Sequence, residues 1–260
     1  MLIRGDARRL PIATGTVDTV VTSPPYLEQR RSGADRREIG HDITLAGYVD
    51  TIADVFDELR RVLKPDATCR LNLGDKANGS GGSGGDWNGP GVKNSDGLAL
   101  RFLDRSYPAT SFLDVPGAVI RELLHRGWRL RMPIVWHKLT ETPESLEHVG
   151  RPRWSHEMIF LLAPTSRRHR FHPEALPETG SVWTFRPGGS GPAHLAPFPD
   201  ELARRCITAA TLPGDVVLDP FDGSGTTRRI AESLGRRAIG VDLYPVAGEP
   251  VVQPQLGFPL

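Results

Sequence analysis

The sequence predicts an α/β fold, a sheet with helices on both faces, and three observations predict it. Short apolar runs of strand type alternate with helically periodic stretches along the whole chain. Two of those runs stop on turn-forming motifs, Ser23-Pro24-Pro25 and Pro220-Phe221-Asp222-Gly223, as strands do at the ligand-binding edge of an open sheet. The last third reads as a βαβ unit of ordinary length, and no internal repeat offers another architecture.

In chain order, Val17 to Thr22 (VDTVVT) is short, β-branched and nearly all apolar, the pattern of a buried parallel strand. A polar, arginine-rich loop follows over 27–42. Ile52, Val55, Phe56, Leu59, Val62 and Leu63 then recur at helical steps, predicting a helix over 45–63 that Lys64-Pro65-Asp66 stops. Thr68 to Leu73 is a second strand, closed by Gly74-Asp75. The stretch 77–94 is glycine-rich without an apolar pattern and predicts a mobile loop. Val115 to Arg126 is an amphipathic helix ended by Gly127. Strands are expected over Arg129–His137 and Glu157–Leu162, and irregular chain over 167–193. Asp200 to Leu212 is helical in pattern. Asp215–Asp219 (strand), Thr227–Leu234 (helix capped by Gly235) and Arg237–Leu243 (strand) complete the unit.

Composition excludes several classes. At 260 residues the chain suffices for one domain with a full core, and its 38% hydrophobic and 24% charged residues are ordinary for such a domain. A net charge of +1 gives no global positive field, so contact with nucleic acid would need a local basic face. Cys69 and Cys206 form no CxxC, metal cluster or disulfide framework. The N-terminus has no apolar targeting core, and no apolar run approaches the roughly 18 residues of a membrane span. A reducing cytoplasm is the expected compartment.

The run Asp219-Pro220-Phe221-Asp222-Gly223-Ser224-Gly225-Thr226-Thr227 joins a strand to a helix and lays a glycine turn over the carboxyl edge. A phosphate-binding Walker loop would need a lysine that is not there. A dinucleotide fingerprint would need a third glycine, and Asp219 and Asp222 would repel a pyrophosphate. The two acids suit instead a ligand carrying an amine and a sulfonium, as S-adenosylmethionine does. Asp242, ending the next strand, is placed to accept hydrogen bonds from a ribose diol.

At the other motif, Thr22-Ser23-Pro24-Pro25-Tyr26, two prolines remove two backbone donors. The acceptors left at Ser23 and Pro24 suit an amine. Holding both hydrogens of a base amine turns its lone pair outward, where alignment with a methyl–sulfonium bond permits direct displacement. Tyr26 offers a face for stacking the base, which must leave the duplex to be reached. Methylation at ring carbon C5 would need a cysteine nucleophile. Cys69 falls in a strand and Cys206 in a helix, where both read as buried small residues.

These residues resemble the amino-methylating DNA methyltransferases of restriction–modification systems. The motif at 22–26 is similar to their catalytic motif and that at 219–227 to their cofactor motif, in the order of the family's β arrangement. Glu58 to Pro65, Leu71 to Asp75, Gly127 to Lys138, Arg151 to Glu157 and Ala196 to Pro199 fit in the same order. The resemblance implies a Rossmann-like S-adenosylmethionine-dependent methyltransferase sheet over 1–260, catalytic half first and cofactor half last. It places Ser23, Pro24, Pro25 and Tyr26 around the target amine. Asp219, Pro220, Phe221, Gly223, Ser224, Gly225 and Thr226 fall around the cofactor, with Asp242 on its ribose, Asp6 near its adenine and Phe198 closing the pocket. Serine at 23, where adenine-specific members more often carry Asp or Asn, tilts the target to cytosine N4. Adenine N6 and an inactive DNA- or cofactor-binding homologue are the alternatives. The implied partner is double-stranded DNA, with a second copy of the chain or a cognate restriction endonuclease as further partners.

Two departures from the family stand out. The stretch 163–194 is short for a target-recognition segment, and the chain ends soon after Asp242 in a proline-rich tail. Arg30, Arg31, Arg36 and Arg37 follow the catalytic motif and are candidate phosphate ligands, as are Arg167 and Arg168 beside Phe171 and Trp183. His137, His156 and Glu157 lack a metal-ligand spacing, and no metal is expected.

Overall fold

The carboxyl edge of one sheet carries both motifs, and the order of its strands explains how. In the computed structural model nine strands of the described residues lie in the order β6-β4-β5-β3-β2-β7-β8-β1-β9. They are β1 (Leu2–Arg4), β2 (Val17–Thr22), β3 (Leu63–Leu73), β4 (Arg129–Lys138), β5 (His156–Ala163), β6 (Val182–Phe185), β7 (Val216–Asp219), β8 (Arg237–Asp242) and β9 (Val251–Val252). The structure describes residues 1–27, 37–40, 44–78, 104–108, 111–139, 154–178, 180–188, 199–245 and 248–252. Arg30, Arg31, Arg36, Phe198 and most of the glycine-rich stretch 77–94 lie outside the described residues.

Only β5 runs against its neighbours, antiparallel to β3 and β4; the other pairings are parallel. The chain reverses its direction of travel across the sheet between β2 and β7. That is the switch point where an open α/β sheet leaves a crevice.

Among the described residues four helices cover the sheet: α1 (Leu45–Val62), α2 (Val115–His125), α3 (Asp200–Thr208) and α4 (Thr226–Ser233). The apolar residues of α1 and α2 pack with Val20, Leu71 and Leu218 in one cluster, and those of α3 and α4 pack with Val21 and Val217 in another. Neighbouring strand residues thus feed opposite layers, as the pleat requires. The expected α/β sheet with helices on both faces is found. Thr44 caps α1 by accepting from the Gly47 amide, and Asp114 caps α2 by accepting from Gly117.

Several expectations are refined. Chain Leu63–Lys64–Pro65 opens β3 directly, so that strand begins five residues earlier than Thr68. Strands β1 and β9, three and two residues long, were not expected. The stretch 167–193, expected as irregular, contributes β6, parallel to β4, which buries Trp183 and Phe185. Part of the candidate recognition segment is therefore built into the sheet.

At the amino edge a buried acid ties three strands together. Asp18 on β2 pairs with Lys64 and Arg170 at 2.7 Å each and accepts the Val216 amide at 3.0 Å. Around it, Asp66 and Asp215 also pair with Arg170.

Candidate active site

The carboxyl ends of β1, β2, β3, β7, β8 and β4, with the start of β5, surround a cavity of about 480 Å³. Asp6, Ser23, Pro24, Pro25, Tyr26, Asp219, Pro220, Phe221, Gly223, Ser224, Thr226 and Asp242 all line it. The structure thus unites two motifs about 200 positions apart in sequence. Gly225 belongs to the same turn but is not among the lining residues.

The motifs are bonded to each other as well as adjacent. Thr22, the last residue of β2, donates to Asp219 Oδ1 at 2.7 Å, and Thr227 donates to the Val21 carbonyl at 3.4 Å. Asp219 also accepts the Phe221 amide at 3.0 Å. Burial dominates its electrostatics, and the nearby Asp222 adds to the effect; against the Thr22 hydrogen bond, they push the carboxyl up to about 7. Burial also raises Asp222, opposed by its 3.2 Å pair with Arg228. Asp222 fits only because position 240 on β8 is glycine: a Cβ there would stand 2.1 Å from Asp222 Oδ1.

Within the turn, Gly223 (φ +51°) and Gly225 (φ +74°) adopt the left-handed region. A Cβ on Gly223 would meet only the Phe221 carbonyl, at 3.8 Å, so its backbone is open to a ligand. Asp242 accepts the Gly223 amide at 2.9 Å and the Tyr244 amide at 2.7 Å, which fixes its carboxylate at the rim with lone pairs to spare. The set of acids, an open glycine backbone and the aromatic Phe221 fits a ligand with amine, sulfonium, ribose and adenine parts.

Asp6 departs from a free ligand-binding group. Burial alone would raise its carboxyl, but hydrogen bonds from the side chain and backbone of Arg8 outweigh it and hold Asp6 below the usual value. Arg8 also donates to the Arg37 carbonyl at 3.1 Å, so Asp6 acts on the rim formed by Arg37, Glu38 and Ile39 through that arginine.

The catalytic end has more parts than its motif announces. Gly74 lies beneath the Tyr26 ring, where a Cβ would come within 2.8 Å of Tyr26 Cε2. The Tyr26 hydroxyl receives a hydrogen bond from Ser23 Oγ at 3.4 Å and donates to Glu157 Oε2 at 2.9 Å, with Asn72 Oδ1 at 3.3 Å. Asn72 Nδ2 and Lys138 Nζ donate to the same carboxylate, at 3.1 and 3.3 Å. Burial, and after it the Glu157 charge, hold the Tyr26 phenol well above its ordinary value. Asn72, Trp136, Lys138 and Glu157 also line the cavity. Their stretches belong to the resemblance, but each residue's place in the site comes only from β3, β5 and β4 lying side by side.

Arg37 lines the cavity rim, whereas the structure does not bring Arg167 and Arg168 to it. They follow β5, which runs backwards, and so lie exposed near Asp66 and Pro65 at the amino edge. Both cysteines are fully buried; burial raises the Cys69 thiol and pushes Cys206 up to about 12. Neither offers a thiolate for a C5 adduct.

Residues 17–249 match the family model described as DNA methylase, the N6/N4 group. The chain is 36% identical to the Type II methyltransferase M.Cfr9I of Citrobacter freundii, over 94% of this chain and 83% of that protein. To the Type II methyltransferase M.SmaI of Serratia marcescens it is 34% identical, over 93% and 86%. Among solved structures, a Thermus thermophilus protein proposed to be a DNA modification methylase, determined with S-adenosyl-L-methionine, superposes with a TM-score of 0.65 at 28% identity, covering 94% of this chain and 88% of that one. The PvuII DNA methyltransferase, cytosine-N4-specific, shares the fold with a TM-score of 0.69 at 19% identity, over 94% and 82%. The model spanning nearly the whole chain, and relatives matched along most of their length, make this chain a member of the N6/N4 DNA methylase family.

Proposed function

We propose that the chain is a Type II, restriction–modification DNA methyltransferase that methylates the N4 amine of cytosine in duplex DNA. S-adenosylmethionine is the methyl donor, and its bound form supplies an electrophilic methyl group in line with the target amine. The observation that carries this reading is one cavity holding Ser23 beside the glycine turn and acids of 219–227. Asp219 and the open Gly223 backbone hold the methionine part, and Asp242 holds the ribose. Ser23 and the Pro24 carbonyl take the amine hydrogens, and Tyr26 backs the base. An exocyclic amine within a stacked duplex is out of reach of such a site, so the base enters flipped.

Serine at 23 favours cytosine N4 over adenine N6. The test is incubation with S-adenosylmethionine and mixed-sequence duplex DNA, followed by mass spectrometry of the digested nucleosides. N4-methyldeoxycytidine is expected. N6-methyldeoxyadenosine would overturn the cytosine assignment and keep the chemistry; no methylated nucleoside from donor-loaded protein on DNA of every short-site context would overturn the enzyme reading.

A further inference from the structure

We infer that Ser23, Tyr26 and Glu157 form a proton relay that carries the proton shed by the methylated amine out of the target-base pocket. The inference rests on the amine-methylation reading above but not on which base is methylated.

The hydrogen-bond directions fix the relay's polarity. Glu157 receives donors on both oxygens, Tyr26 and Asn72 on Oε2 and Lys138 on Oε1. As a carboxylate it can only accept, so the Tyr26 hydroxyl at 2.9 Å must donate to it. With that hydrogen committed, Tyr26 Oη accepts from the Ser23 hydroxyl at 3.4 Å. Ser23 Oγ is then left with lone pairs and no free hydrogen, which makes it an acceptor toward the cavity. That polarity suits an amine and disfavours a carbonyl at the same point.

The same order gives the proton a path. As the amine nitrogen forms its bond to carbon, the carbon–sulfur bond breaks with its electron pair going to sulfur, and the positive charge passes to nitrogen. Ser23 Oγ takes a proton from that nitrogen while its own moves to Tyr26 Oη, and the Tyr26 proton moves to Glu157 Oε2. The products are a neutral methylamino base, neutral Ser23 and Tyr26, and a protonated Glu157, which returns its proton to solvent. Charge is conserved: one sulfonium and one carboxylate are consumed together. Tyr26, held neutral by burial and by Glu157, passes protons without storing charge.

The groups facing Glu157 are Tyr26 from the turn after β2, Asn72 on β3 and Lys138 on β4. Glu157 is the only carboxylate among them. An acid limb in the rate of methyl transfer therefore belongs to Glu157 among these groups.

The decisive variant is Glu157→Gln, whose amide oxygen keeps the Tyr26 hydrogen bond but cannot accept a proton. Single-turnover methyl transfer should fall about tenfold to a hundredfold, with S-adenosylmethionine affinity by calorimetry within twofold of wild type. With S-adenosylmethionine kept saturating at every pH, so that donor binding through Asp219 does not enter the rate, the acid limb should vanish, a change that loss of packing alone would not produce. The Tyr26 phenol, read as the ultraviolet difference between each protein and its Tyr26→Phe partner, should titrate at lower pH once the Glu157 charge is gone. Tyr26→Phe breaks the same chain at its middle, so it should also lose the limb, and the double variant should be little slower than either single one. Should Glu157→Gln not fold, Tyr26→Phe alone decides by the same profile. A wild-type rate with an unchanged acid limb in either variant would overturn the relay. If these effects appear with N6-methyldeoxyadenosine as product, the relay stands and the cytosine assignment falls.

Discussion

The Asp219 carboxyl sits at the end of β7 with the Thr22 hydroxyl and the Phe221 amide to stabilise its charge, and burial still pushes it up to about 7. In the unfolded chain the same group titrates near 4. The folded state therefore binds more protons between those values, and stability falls as pH rises through that window. Asp219→Asn can still accept from Thr22 and Phe221 through its amide oxygen but carries no charge. It should melt about 5 °C or more above wild type at pH 8 in the absence of ligand, and the gain should shrink toward pH 4; differential scanning calorimetry reads this. Function pulls the other way, because a cationic ligand needs the ionised form. Affinity for S-adenosylmethionine should rise as pH increases from about 6 to 8 and level off above, and Asp219→Asn should lose most of both the affinity and its pH dependence. Ser23 makes a contrasting prediction. In the proposed function it holds the reacting amine and not the donor, so Ser23→Ala should lower turnover about a hundredfold while the donor's Kd moves less than threefold.

Elements succeed or fail here by how local their causes are. The run VDTVVT, the periodicity from Ile52 to Leu63 and the glycine turn after Asp219 each carry their structure within a few residues, and β2, α1 and the β7–α4–β8 unit formed where expected. Strands β1 and β9 are too short to hold a pattern, and β6 pairs with β4 from a proline- and glycine-rich stretch whose only signals were Trp183 and Phe185. The site divides the same way: both motifs were legible, whereas Glu157 and Lys138 acquire their roles only from the register of β5 against β3 and β4. The glycines show a further difference. Gly225, which the resemblance puts around the cofactor, lies off the cavity, and a Cβ there would meet Arg228 Nη2 at 2.7 Å. Gly225→Val should therefore abolish donor binding by straining the turn and displacing Arg228 from Asp222, with a melting temperature lowered by several degrees. Gly74→Ala should act at the opposite end. Its methyl group would push the Tyr26 ring, so methyl transfer should drop at least tenfold while calorimetry shows unchanged donor affinity.

On the scale of the whole molecule, the two functional halves share one sheet and have no seam. β2 of the catalytic half lies directly beside β7 of the cofactor half. Thr22 and Asp219 join them at the carboxyl edge, and Asp18, accepting the Val216 amide while paired with Lys64 and Arg170, joins them at the amino edge. The apolar layers are continuous across the same line: Val20 and Leu218 share one cluster, Val21 and Val217 the other. A boundary between independently melting units needs a place where few contacts cross, and this line has none. The chain should accordingly unfold in a single transition. Trp128 is buried in one layer and Trp136 and Trp183 in the other, so tryptophan fluorescence reports on both faces, and it should melt together with far-ultraviolet circular dichroism. S-adenosylmethionine at about a hundred times its Kd should stabilise by about 2.7 kcal/mol, raising the midpoint by roughly 5–10 °C in both signals alike. If fluorescence and dichroism separated, or if the donor shifted only one of them, the cofactor half would be an independent unit. The bonds at Thr22 and Asp18 would then be contacts between domains, and the coupling of donor binding to the catalytic end would have to be sought elsewhere than in the shared sheet.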